Sequence, residues 1–166
     1  MSDVDARAVK ESALETVHLM MPQDANTQGN VYGGTIMKLM DEIAGSVACL
    51  HARKNAVTAS VDQMSFYEPV YIGNLLLLKA SVNYVHKTSM EIGVRIEARD
   101  LRTGKSVHTG SSYLTFVAID ENGKPTEVPQ IIPETPDEKR RNLEGEARRL
   151  RRLRHQNSFV DKTPNA

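Results

Sequence analysis

The chain has 166 residues, 40% hydrophobic and 25% charged, with 21 basic and 21 acidic side chains. That length suits one domain that buries roughly two thirds of its unfolded surface. Zero net charge excludes bulk electrostatic capture of nucleic acid or membrane. The single cysteine excludes an intramolecular disulfide and a cysteine-rich zinc site, and no apolar run approaches the roughly 20 residues of a membrane span.

Residues 1–10 are polar and read as a mobile start without the apolar core of a signal peptide, so the expected location is the cytosol. Leu14 to Met21 reads as a short strand closed by Pro22. Asp24 to Gly29 is rich in turn formers. A helix is predicted from Gly33 to Arg53. At about 100° per residue its stripe is Ile36, Met40, Ile43, Val47 and Leu50, with Lys38 and Glu42 paired on the far side. Asp41 falls at the margin of the stripe beside Ala44, Gly45 and Ala48, small residues that leave room for a second chain or a substrate. The Gly33-Gly34 pair permits close approach of a ligand. The free N–H groups and dipole at the helix start favour a developing negative charge, and a half-buried carboxylate two turns later can handle a proton or a water. The neutral reading is a plain turn and an ordinary helix-flank aspartate. Cys49, on the same helix, reads as a buried, inert thiol, and His51 as a structural histidine.

Four strands follow. Val57 to Phe66 sets Val57, Ala59 and Val61 against Thr58, Ser60 and Asp62. Leu75 to His86 places Leu76, Leu78, Ala80, Val82 and Tyr84 on one face. Met90 to Ala98 has Met90, Ile92, Val94 and Ile96 inside and Glu91, Arg95 and Glu97 outside. Val107 to Ile119 alternates again. Period-two patterns joined by tight turns such as Lys87-Thr88 and Asn122-Gly123 mark antiparallel strands. The predicted fold class is α+β: a long central helix wrapped by a five-stranded antiparallel sheet, plus a C-terminal helix. With the sheet's outer face and edges uncovered, pairing with a second copy is expected.

Pro129 to Pro136 reads as an extended linker and Asp137 to His155 as the second helix, with a thin stripe of Leu143, Ala147 and Leu150. Between Asp137 and Arg154 stand eight Lys or Arg and four Asp or Glu. The predicted layout is a core over 11–128, a linker and basic helix over 129–156, and a tail over 157–166.

The ordered series Asn30-Val31-Tyr32-Gly33-Gly34-Thr35-Ile36-Met37, Lys38-Leu39-Met40-Asp41-Glu42, Val57-Thr58-Ala59-Ser60-Val61-Asp62, Lys87-Thr88-Ser89-Met90-Glu91-Ile92 and Val128-Pro129-Gln130 through Pro136 resembles the hotdog-fold acyl-CoA thioesterases. It is most similar to the cytosolic long-chain acyl-CoA hydrolases, especially to one repeat of their two-domain members. Tyr32 stands where many relatives carry histidine. The resemblance implies a helix wrapped by a sheet, with active sites at a dimer interface, in a homodimer or trimer of dimers. It implies that Asp41 of one subunit, as general base or nucleophile, faces Asn30 of the other. It also implies an oxyanion held at Gly33 and Gly34, with Thr58 and Ser60 positioning water.

A thioester needs an activated water and charge stabilisation on its carbonyl oxygen rather than a strong acid. No cofactor is expected beyond coenzyme A as part of the substrate, and no metal. Lys87, Thr88 and Ser89, together with the arginines of the last helix, are candidate partners for coenzyme A phosphates. Two other readings are a hotdog hydratase or dehydratase, which would want a catalytic histidine, and a non-catalytic acyl-CoA sensor or nucleic-acid module. Neither a serine-hydrolase elbow nor a P-loop is present.

Overall fold

The computed structural model describes residues 5–160. In chain order the elements are β1 (Arg7–Ala8), β2 (Leu14–Leu19), α1 (Gly33–Ala52), β3 (Asn55–Phe66), β4 (Leu75–His86), β5 (Ser89–Arg99), β6 (Ser106–Ile119), β7 (Ile131–Ile132) and α2 (Pro136–Val160). The five long strands form one antiparallel sheet in the order β2-β4-β5-β6-β3. Tight turns join β4, β5 and β6 into the expected meander, and β3 reaches β6 from the other side of α1. Helix α1 lies against the inner face of the sheet.

The core is what the two periodicities require. From α1, Ile36, Met40, Ile43, Ala44, Val47 and Ala48 are buried. They meet Leu76, Leu78, Met90, Ile92, Ile96, Leu114 and Phe116 from the sheet. Each fully buried large aliphatic side chain contributes about 1.5–3 kcal/mol. The small residues of α1 serve this contact rather than leaving space beside Asp41. Ala44 and Ala48 are fully buried, and a methyl group at Gly45 would already touch the Phe116 ring at 3.4 Å. The buried stripe also ends two residues later than expected, with His51 and Ala52 buried. Leu50 is half exposed and His51 takes the inward place. Its Nε2 donates to the Pro129 carbonyl at 2.9 Å, which ties α1 to the segment after the sheet. Burial, above all, pushes the His51 pKa down, so the ring is held neutral.

Three stretches are more ordered than composition suggests. The polar start contains β1 and a turn of 3-10 helix over Val9–Glu11. The expected linker contains β7, which pairs in parallel with β1 through Arg7 with Ile131 and Ala8 with Ile132. Helix α2 runs to Val160, into the stretch read as a tail, because nothing after His155 breaks it. Residues 161–166 of that tail lie outside the described part.

The outer face of the sheet is not bare. Helix α2 crosses it on its polar side, with the leucines turned outward: Leu143 and Leu150 are 67% and 46% exposed. Gly145 makes the contact close, since a methyl group there would lie 2.7 Å from Tyr84 Cβ. Beneath the helix Glu91 is buried. Its carboxylate accepts from Arg148 Nη2 at 2.7 Å and Nε at 3.0 Å, and from Asn83 Nδ2 at 3.2 Å. The Arg148 guanidinium also stacks over the Tyr113 ring at 3.6 Å. Arg152 of the same helix face pairs with Asp62 on β3.

Candidate active site

The loop before α1 is built around Asn26. Its Oδ1 accepts the backbone N–H of Gln28 at 2.8 Å and of Asn30 at 3.2 Å. Its own N–H donates to the Asn30 carbonyl at 2.7 Å. Gly29, with φ 81°, makes the return possible. The chain then enters α1 at Gly33 with no side-chain cap: Tyr32 occupies the N-cap position and its side chain makes no capping hydrogen bond. The N–H groups of Gly33 and Gly34 therefore open α1 unpaired within the helix, at its positive end.

The two glycines differ in their surroundings. A methyl group at Gly33 would meet only the Phe66 ring, at 4.0 Å, whereas one at Gly34 would collide with the Tyr32 ring at 2.6 Å. Tyr32 thus covers Gly34 and leaves Gly33 approachable. A cavity of about 300 Å³ opens there, lined by Asn26, Asn30, Gly33, Phe66, Tyr67 and Val70 among others.

Asp41 sits two turns along α1, outside that cavity and exposed. Thr58 on β3 donates its hydroxyl to Asp41 Oδ1 at 2.7 Å. Oδ2 has no hydrogen bond from another described residue. Within one protomer the amide-lined cavity and the carboxylate are separate places. Around both lies exposed apolar surface: Tyr32, Met37, Val57, Val61 and Phe66 are each about half exposed.

Ser60 does not join Thr58, although alternation places both on one face. Thr58 pairs with Phe116 and Ser60 with Thr115, so Ala59 is a bulge that reverses the alternation. Thr58 points to α1 with Phe116. Ser60 points to the outer face, where its hydroxyl donates to Asp62 Oδ1 at 3.2 Å. A second bulge, at Asn83, turns Tyr84 outward under α2 and away from the inner row of β4.

The Lys87-Thr88-Ser89 turn is occupied by its own backbone. Lys87 has φ 47°. The Lys87 and Thr88 carbonyls accept the N–H groups of Val128 and Ala118, and the Ser89 hydroxyl donates to the His86 carbonyl at 3.1 Å. The Lys87 side chain is exposed and makes no ion pair among the described residues, and both it and Arg149 lie near His86. Burial first, then these two cations, push the His86 pKa down. Of the α2 arginines, Arg148 and Arg152 are committed to Glu91 and Asp62. Arg149 and Arg151 make no ion pair among the described residues. No three His, Cys, Asp or Glu among those residues are grouped to hold a metal ion, and no described helix is long and apolar enough to cross a membrane.

A family model described as the thioesterase superfamily matches residues 28–105. The rat cytosolic acyl coenzyme A thioester hydrolase is 38% identical over 148 residues, which cover 88% of this chain and 39% of that protein. The chain thus spans about two fifths of the length of that relative. The uncharacterized acyl-CoA thioester hydrolase YkhA of Bacillus subtilis is 37% identical over 83% of this chain and 80% of its own. Among solved structures, an apo-hexameric acyl-CoA thioesterase superposes with a TM-score of 0.90 at 37% identity, over 92% of this chain and 98% of that one. An acyl-CoA hydrolase from Staphylococcus aureus, in complex with butyryl coenzyme A, coenzyme A and coenzyme A disulfide, gives 0.86 at 36% identity over 93% and 94% of the two chains. Structures of variants of that hydrolase, with alanine in place of one aspartate, one threonine or one asparagine, match as well. With the helix, the wrapped sheet and these relatives in agreement, this chain belongs to the thioesterase superfamily, among its hotdog-fold acyl-CoA thioester hydrolases.

Proposed function

We propose that the chain hydrolyses acyl-CoA to a free fatty acid and coenzyme A, in sites shared between two copies. The observation that carries this is the Asp41 carboxylate held by Thr58 at 2.7 Å on an exposed apolar margin, away from the open N–H groups of its own α1 start. A second copy would bring the two parts together. The exposed edge of β3, with Val57, Val61 and Phe66 uncovered, is the natural seam for it. Three of the matching solved structures are named as hexameric, which favours assembly of such dimers into a trimer of dimers.

The chemistry balances with substrate and water alone, so no cofactor is needed. Asp41 Oδ2 takes a proton from water as its oxygen bonds to the thioester carbonyl carbon, or Oδ2 itself attacks to give a mixed anhydride that water then opens. The carbonyl oxygen becomes an oxyanion received by the N–H of Gly33, with Gly34 behind it. Collapse breaks the carbon–sulfur bond, and the leaving thiolate takes the proton.

The partner amide is better assigned to Asn26 than to Asn30. In the Staphylococcus aureus hydrolase the replaced aspartate and threonine stand 17 positions apart, as Asp41 and Thr58 do here, and its replaced asparagine stands 15 positions before that aspartate. Fifteen positions before Asp41 this chain has Asn26, and Asn30 is only 11 before it. Asn26 also has its Oδ1 fixed by two backbone N–H groups, so its Nδ2 is held facing the other way as a donor. Thr58 orients Asp41, and Ser60 has no part in the site. The Lys87 ammonium, Arg149 and Arg151 are groups open to meet coenzyme A phosphates, and we place the reaction in the cytosol, after the names of the mammalian relatives.

The test is release of thiol from a panel of acyl-CoAs, acetyl to palmitoyl, followed with a thiol reagent. Wild type should release it, and Asp41→Asn should lower kcat by on the order of 10²–10⁴. A folded Asp41→Asn protein with full activity would remove Asp41 from the mechanism.

A further inference from the structure

The basic face of α2 is bound up with the strand that carries Thr58. Strand β3 lies at the edge of the sheet, so within the protomer only β6 pairs with it. It is also interrupted twice, at Ala59 and at Asp62. The two bulges break the register of β3 on β6 on either side of Ser60 and Val61, so the ladder alone sets the pleat there less firmly than in the flanking stretches. Yet the first bulge decides the face on which the Thr58 hydroxyl emerges. One step of slippage would return Thr58 to the side of Ser60, away from Asp41.

Side-chain chemistry on the outer face adds to the hold of β6 on the bulged segment. The carboxylate of Asp62 receives the Ser60 hydroxyl on one oxygen and the Arg152 guanidinium on the other. Ser60 and Asp62 bracket Val61, so this bridge spans the segment between the two bulges. Arg152 is itself seated: its Nη1 lies 3.7 Å from Glu91 Oε2. Glu91 in turn is fixed by Arg148, with side chains 1% and 14% exposed. The side chains of Asp62 and Arg152 are 14% and 23% exposed, so the pair is largely withdrawn from water. Charge pairs so placed are far less screened than surface ones.

The geometry points to Arg152 as a positioning residue for hydrolysis: acting through Asp62 and Ser60, it holds the bulge at Ala59 so that Thr58 meets Asp41. Helix α2, whose arginines look from composition like ligands for phosphate, is on this account a brace for the catalytic strand. The inference rests on the proposed thioesterase reading of Asp41 and Thr58.

The experiment combines kinetics with hydrogen exchange on the full chain. Arg152→Ala should lower kcat on the order of tenfold, the scale of a small misplacement of a reacting group, with KM for the acyl-CoA little changed. Arg152→Lys, which keeps the charge, should recover part of the loss. In a Thr58→Val background Arg152→Ala should cost nothing further, because its effect passes through Thr58. Amides of 57–62 should exchange faster in Arg152→Ala than in wild type, and those of 34–40 on α1 should not. Equal losses with and without Thr58, or unchanged exchange over 57–62, would overturn the assignment. If wild type releases no thiol from any acyl-CoA, the thioesterase reading falls, and the exchange arm still decides whether Arg152 holds the bulge.

Discussion

At the scale of single residues, two asparagines four positions apart separate a site group from its support. Asn30 contributes a backbone N–H that fixes Asn26, and in the proposed site Asn26 contributes the oriented amide. Asn26→Ala should remove the amide and also release the turn, lowering kcat on the order of 10²-fold. Asn30→Ala keeps its own N–H and should change kcat by less than about tenfold. The comparison is made with saturating acyl-CoA on folded, matched proteins. Equal losses in the two would return the assignment to the loop as a whole.

At the scale of elements, the long strands were legible because their alternation runs for ten residues or more. Leu75 to His86 coincides with β4 to the residue, and the others differ only at their ends. What alternation cannot carry is a bulge. One extra residue leaves composition untouched and reverses every later side chain, so plain alternation assigns Ser60 and Tyr84 to the wrong face. Pairings as short as β1 with β7 have no period to read. The arginines of α2 misled for a related reason. Glu91 does face outward, as its pattern says, but the surface it faces is another element, which only the fold supplies. Arg148→Ala should therefore cost about 3–5 kcal/mol by leaving a buried carboxylate without its cation. Glu91→Gln combined with Arg148→Met should be markedly less destabilised. Denaturant unfolding of the three proteins checks this, and a loss under about 1 kcal/mol for Arg148→Ala would class the pair with ordinary surface bridges.

At the scale of the whole molecule, Asp41 and Thr58 lie outside the cavity lined by Asn26 and Gly33 of the same protomer, and the proposed site therefore draws one half from each of two subunits. Asn26→Ala and Asp41→Asn should each be inactive alone. After subunit exchange between them, activity should return, because each mixed dimer holds one site with both original groups. Absence of recovery after exchange confirmed by mass spectrometry would place both groups in the same subunit's site.

That separation also shapes the genetics of the enzyme. In the proposed shared site each Asp41 serves one site, in company with its neighbour's loop, and no site needs two of them. A cell carrying intact and Asp41-altered copies should thus lose activity in simple proportion to the altered fraction. An inactive allele at this position would then be additive in dosage and unable to poison the subunits it pairs with.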